Sequence, residues 1–257
     1  MKHPFLIGAA GIMLILAQLM VWGGLTLFQL PGVQNEIVTS IKIQLPEKII
    51  PLVLSHYPEL EAMTYQSSVN YCAYRQNLEM DFEAEGITDD YVCGVVEQGL
   101  VQNTEDLRHY LARKVVSQKV DEYNLLYGPE ISRMAGAGIP LAIIGMVLAF
   151  FAFAITYFGT TTLPKGIFCY FLMGGVWGIG FMALSIICFF LVPWIVEGQA
   201  ENCAEGEFEL AVLRSALPYV YSSVKGIFIV NALVFGGGAF IFSLVAALSY
   251  IMARSSE

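Results

Sequence analysis

Four stretches of this chain carry no charged residue, and each is long enough to cross a membrane: 5–28, 135–162, 166–196 and 226–253. A hydrocarbon core of about 30 Å takes about 20 helical residues at 1.5 Å rise each. Inside lipid every backbone N–H and C=O must find a partner within the protein, so such segments fold as helices. The reading is therefore an all-α membrane protein, a bundle of four transmembrane helices. The last two stretches exceed the minimum, and length alone does not say whether they tilt or project.

Composition agrees. The chain is 56% hydrophobic and 14% charged, where a soluble domain carries about 25% charged residues. The net charge of −9 is concentrated in 29–135 and 197–224. An acidic chain is a poor match for nucleic acid, whose phosphates need a basic surface. The expected partners are the lipid bilayer and another integral membrane protein, or a second copy of this chain. The first apolar stretch is longer than the core of a signal peptide and lacks a small-x-small cleavage site, so it reads as a retained helix.

The expected division is residues 1–28 as the first transmembrane helix, 29–134 as a small, mainly helical extramembrane domain, and 135–257 as a three-helix membrane region. In that region 159–165 forms a short inner turn and 197–224 an outer loop. Four crossings put both termini on one side. Lys2, Lys165 and Arg254 favour that side as cytoplasmic. Lys42, Lys48, Lys119, Arg133, Arg214 and Lys225 oppose it. The first helix breaks the tie: Lys2 precedes it and Glu36 is the first charge after it.

A segment as long as 29–134 needs structure of its own. Ile41-Lys42-Ile43-Gln44-Leu45 alternates like a short strand, and Pro46, Pro51 and Pro58 divide the next stretch into short pieces. Thr88 caps a helix starting at Asp89 and ending at Gly99. Asn103 or Thr104 caps a longer one with Glu105 and Asp106 in its first turn, and Gly128-Pro129 stops it.

Cys72, Cys93 and Cys203 fall on the soluble-domain side, while Cys169 and Cys188 lie in the third apolar stretch as packing residues. If the domain side is oxidising, Cys72 and Cys93 are the most local pair, closing a loop of about 22 residues worth about 3 kcal/mol. Cys203 bonded to either is the alternative, and a reducing side leaves all three as thiols. Asp81-Phe82-Glu83-Ala84-Glu85-Gly86 resembles the opening of a calcium loop, but the twelfth position is Val92 rather than glutamate, so a solvated acidic surface is the simpler reading. No catalytic or nucleotide motif is present, and neither a metal nor a cofactor is expected. The polar residues within the apolar stretches (Gln18, Thr156, Ser185, Asn231 and Ser243) read as interhelical hydrogen-bonding groups.

The membrane part has a steric pattern. Ala135, Gly138, Ala142, Gly145, Ala149, Ala152, Thr156 and Gly159 recur at alternating spacings of three and four, and Ala232, Gly236, Ala239, Ser243 and Ala246 do the same. Such seams let a neighbouring backbone approach closely. The neighbour is either another helix of this chain or a partner's. Gly174, Gly178, Ser185 and Cys188 form a looser set in the third stretch.

One helix, a large segment, a helix, a tight turn, a helix, a smaller loop and a helix: this order resembles the layout of the claudin-like tetraspan proteins, junction proteins and accessory subunits. The likeness is one of layout alone. Their tryptophan signature belongs in the first outer segment, whereas Trp22-Gly23-Gly24-Leu25 lies in the first helix, and Cys72 and Cys93 are spaced differently. No family is assigned. The expected function is a non-catalytic structural or accessory membrane subunit that packs through small-residue faces. The alternative is a channel or pore-forming homo-oligomer, with a membrane enzyme a more distant third.

Mass spectrometry of non-reduced peptides should recover Cys72 linked to Cys93. Two free thiols in material never exposed to reductant would contradict both the pairing and an oxidising side for this segment.

Overall fold

The computed structural model describes residues 3–74, 87–203 and 207–255, without the side chains at 200–203, 209 and 255. Among the described residues the chain is helical and contains no strand. The helices are α1 (Pro4–His56), α2 (Pro58–Ala62), α3 (Tyr65–Ala73), α4 (Asp89–Glu97), α5 (Thr104–Gly159), α6 (Leu163–Cys203) and α7 (Glu207–Ser255). Four of them, α1, α5, α6 and α7, contain stretches long and apolar enough to cross a membrane.

The chain divides into two compact units. Unit 1 comprises Met1–Val33, Glu130–Val192 and Ser222–Glu257; unit 2 comprises Gln34–Pro129 and Pro193–Tyr221. All four long helices contribute to both. Pro31, Pro129, Pro193 and Pro218, one on each long helix, stand within a turn of the borders between the units.

Four local expectations are corrected. Ile41–Leu45 is helix, not strand. Five alternating residues are too short a window; over the longer one Leu45, Ile49, Ile50 and Val53 recur at helical spacing and all are buried. Pro46 and Pro51 do not end α1 either, and Pro46 is itself fully buried in the unit 2 interior. Nor does Gly128-Pro129 end the helix that begins at Thr104, which continues to Gly159. A proline costs a helix one backbone bond, whereas a stop and restart would orphan four carbonyls and four N–H groups. The segment 197–224 is also mostly helix, taken up by the end of α6 and the start of α7.

Gly99 shows what a real stop requires. Its φ of +65° is the left-handed value, the only positive φ among the described residues. Gly99 N–H donates to Val96 O and Leu100 N–H to Val95 O, which satisfies the last carbonyls of α4. At the other end Thr88 accepts from Tyr91 N–H. Asn103 rather than Thr104 caps α5, accepting from Asp106 N–H at 2.8 Å. The Thr104 hydroxyl instead accepts from Tyr65 N–H at 3.1 Å, joining the start of α3 to the start of α5.

Unit 2 has a continuous apolar core. Leu45, Ile49 and Val53 of α1 meet Leu60, Val92, Val101, Leu107 and Leu111, with Ala216 and Tyr219 of α7 against them. His56 stacks on Phe208 with ring centres 3.9 Å apart.

Unit 1 is built on close backbone approach. A methyl group on Gly24 of α1 would lie 2.6 Å from the Gly138 carbonyl oxygen of α5, and one on Gly138 would lie 2.6 Å from the Gly24 carbonyl oxygen. Farther along, a methyl on Gly145 would meet the Ala17 carbonyl oxygen at 2.6 Å. No side chain fits there. The second seam faces α6: a methyl on Gly178 would come 3.0 Å from the Ala239 Cβ, and one on Gly175 would come 3.0 Å from the Ser243 hydroxyl.

Gly145→Leu should force α1 away from α5 and cost on the order of 1–3 kcal/mol. Leu148→Ile, off the seam, should be nearly neutral. Thermal unfolding of both variants in detergent checks this, and equal midpoints would refute the close-packing argument.

Candidate functional site

The described chemistry of unit 1 centres on polar side chains between long helices. Asn231 of α7 is fully buried. Its Nδ2 donates to the Thr26 hydroxyl of α1 at 2.8 Å, and its Oδ1 accepts from Gln29 Nε2 at 3.3 Å. The Thr26 hydroxyl in turn donates to the Trp22 carbonyl at 2.9 Å. One turn away the Trp22 indole donates to the Ser185 hydroxyl of α6 at 2.8 Å, and Ser185 donates to the Phe181 carbonyl. In an apolar surround an unpaired amide or hydroxyl costs several kcal/mol, so these partners fix which faces of α1, α6 and α7 meet.

Other polar groups follow the same rule. Gln18 Nε2 donates to the Gly174 carbonyl at 3.1 Å, joining α1 to α6. The Tyr170 hydroxyl donates to the Ala149 carbonyl at 3.1 Å, joining α6 to α5. Thr156 is fully buried and bonds within its own helix, to Ala152 O at 2.8 Å. Gln18 and Gly174 also line an apolar groove of about 220 Å³, together with Gly145, Ala149 and Ala239. The Gln18 Oε1 is buried and has no hydrogen-bond partner among the described residues.

The seam residues of the sequence separate clearly in burial. Gly138, Gly145 and Ala152 are buried, and Ala142 and Ala149 are half-buried. On α7, Ala239 is buried and Gly236 half-buried, with Met182 Sδ 2.8 Å from where a Gly236 methyl would sit, whereas Ser243 is exposed. Both seams face helices of this same chain. Sequence reasoning missed their counterparts. Ala10, Leu14, Ala17, Val21 and Gly24 follow the same three-and-four spacing on α1, and the first three are almost fully buried. The signal was legible, but the bulkier Leu14 hides the pattern from a search for small residues alone.

In unit 2, Cys72 Sγ and Cys93 Sγ lie 2.04 Å apart, at bonding distance, between α3 and α4. The Tyr71 hydroxyl donates to Asp89 Oδ2 at 2.6 Å beside them. The side chain of Cys203 lies outside the described residues, as do Asp81, Glu83 and Glu85 of the stretch that resembles a calcium loop. Val92, at the place of the missing calcium ligand, is fully buried in the unit 2 core. Among the described residues no group of three or more His, Cys, Asp or Glu is placed to hold a metal ion. Comparison with family models, curated proteins and solved structures found no match.

Thr26→Val and Asn231→Ala should each lower stability, and their effects should not add. A coupling energy of about 0.5–2 kcal/mol is expected for an interhelical bond in apolar surroundings. A double-mutant cycle by thermal unfolding in detergent measures it; strict additivity would mean that the bond contributes nothing.

Proposed function

We propose that the chain is a non-catalytic subunit of a membrane assembly, working by association with another integral membrane protein. One observation carries the reading: Trp22, Thr26, Gln29, Ser185, Asn231 and the Gln18 amide nitrogen are engaged in bonds between the helices of unit 1, which leaves the Gln18 Oε1 as the one buried polar atom of this set without a partner, so the set serves architecture rather than a polar substrate. Unit 1 reads as a four-helix transmembrane bundle and unit 2 as the helical domain outside the membrane. Because Gly138, Gly145 and Ala239 abut the chain's own helices, the contact with a partner falls on the outer faces. These carry large apolar residues such as Phe150, Phe190, Leu233 and Phe240, all well exposed. Such faces suit lipid and a partner helix alike, and shape decides between them where lipid removes the hydrophobic driving force.

The termini are assigned to the cytoplasm and unit 2 to the opposite side. The cysteine pair at bonding distance supports this, since disulfides persist in oxidising compartments. The acidic balance of 29–135 would add steering and orientation toward a basic partner surface more than affinity.

Purification in mild detergent should yield an unrelated membrane protein in fixed ratio with this chain, and the chain alone in liposomes should conduct no ion or solute. A homomeric ring with selective flux would overturn the accessory reading in favour of a pore.

A further inference from the structure

One end of unit 1 holds a cleft that the packing described above does not use. The start of α1, the end of α5, the start of α6 and the end of α7 meet there; His3 N–H donates to Gly159 O at 3.4 Å. The cleft has a volume of about 520 Å³ and is lined by Thr160, Thr161, Lys165, Phe168, Tyr250 and Arg254, among others. Its two cations come from separate helices. Lys165 lies in the first turn of α6, where the helix dipole is positive, and Arg254 in the last turn of α7. Both side chains are exposed.

The cleft is graded along the helix axes. Phe168 is three residues into α6 from Lys165, and Tyr250 is four residues into α7 from Arg254, so both rings lie about one turn deeper than the charges. Their centres are 5.6 Å apart, which makes an aromatic floor. Thr161, in the turn between α5 and α6, also lines the cleft. A free inorganic anion would use the rim and waste the floor. An anion continued by an apolar body would use both, and a membrane lipid with a charged phosphate has that form at that depth.

We propose that this cleft binds the headgroup phosphate of an anionic phospholipid, with Lys165 and Arg254 as its cations and Phe168 and Tyr250 against the glycerol and upper acyl region. The proposal needs the chain to sit in a bilayer; it does not need the accessory reading, and a pore could carry the same site.

The test uses the full-length protein in phosphatidylcholine nanodiscs containing a minor fraction of photoactivatable phosphatidylglycerol. Adducts should saturate and map to peptides holding residues 160–169 and 250–254. Adducts spread evenly over the lipid-facing helices would overturn the site, and this wild-type measurement does not depend on any variant folding. Lys165→Gln with Arg254→Gln should weaken labelling roughly tenfold or more, while Arg133→Gln with Lys225→Gln should leave it unchanged. Equal loss in both double variants would mean general charge attraction and would sink the proposal. Excess unlabelled phosphatidylglycerol should compete, and inorganic phosphate should not. Competition by inorganic phosphate at similar concentration would replace the lipid with a soluble anion, and equal labelling by photoactivatable phosphatidylcholine would remove the role of charge.

Discussion

The contact on which unit 1 depends is the approach of the α1 backbone to that of α5. At Gly24 and Gly138, and again at Ala17 and Gly145, carbonyl oxygens stand where any side chain would collide. Lipid tails are as apolar as leucine, so nothing drives such helices together except contact area and hydrogen bonds. Dispersion is weak per atom pair and falls off steeply with a gap of even 1 Å. Glycine at the crossing removes the gap, and α6 and α7 repeat the device through Gly175, Gly178, Ala239 and Ser243.

The two units hold together by different physics. Unit 2 relies on a contiguous apolar core, in which Leu45, Ile49, Val53, Leu60, Leu107 and Leu111 lose nearly all contact with solvent. Burial of that kind stabilises at about 25 cal/mol per Å². Its ion pairs add little: Lys42 with Asp121 and Lys119 with Glu122 lie at the surface, where solvent screens them. Unit 1 has few buried large side chains and instead joins its helices at small residues and single hydrogen bonds. Asn231 with Thr26 and Trp22 with Ser185 specify which faces meet, something shape alone leaves degenerate.

The same contrast governs how much was legible in the sequence. The four apolar helices were plain, because an uncharged run of that length has few other fates. The cap at Thr88 and the stop at Gly99 were also plain, and the cap of α5 was narrowed to Asn103 or Thr104, since each rests on bonds within a few residues. What failed was the reading of proline. Pro46, Pro51 and Pro129 look like breaks in isolation, but α1 and α5 run on through them, and around Pro46 and Pro51 the burial of Leu45, Ile49, Ile50 and Val53 outweighs one lost backbone bond. The alternation at Ile41–Leu45 misled because five residues are too short a window: the helical spacing shows only when Leu45, Ile49, Ile50 and Val53 are read together. Gly24 escaped notice because its role is defined by a carbonyl more than one hundred positions away, at Gly138.

The prolines at the borders between the units have a mechanical consequence. Pro31, Pro129, Pro193 and Pro218 each delete one rung of the helical ladder, one on each of the four long helices, within a turn of where the chain passes from one packed interior to the other. Helices bend where such a rung is missing. α1 and α5 lose further rungs inside the units, at Pro46, Pro51 and Pro140, so the continuity of the long helices rests on side-chain packing and not on an unbroken backbone ladder alone.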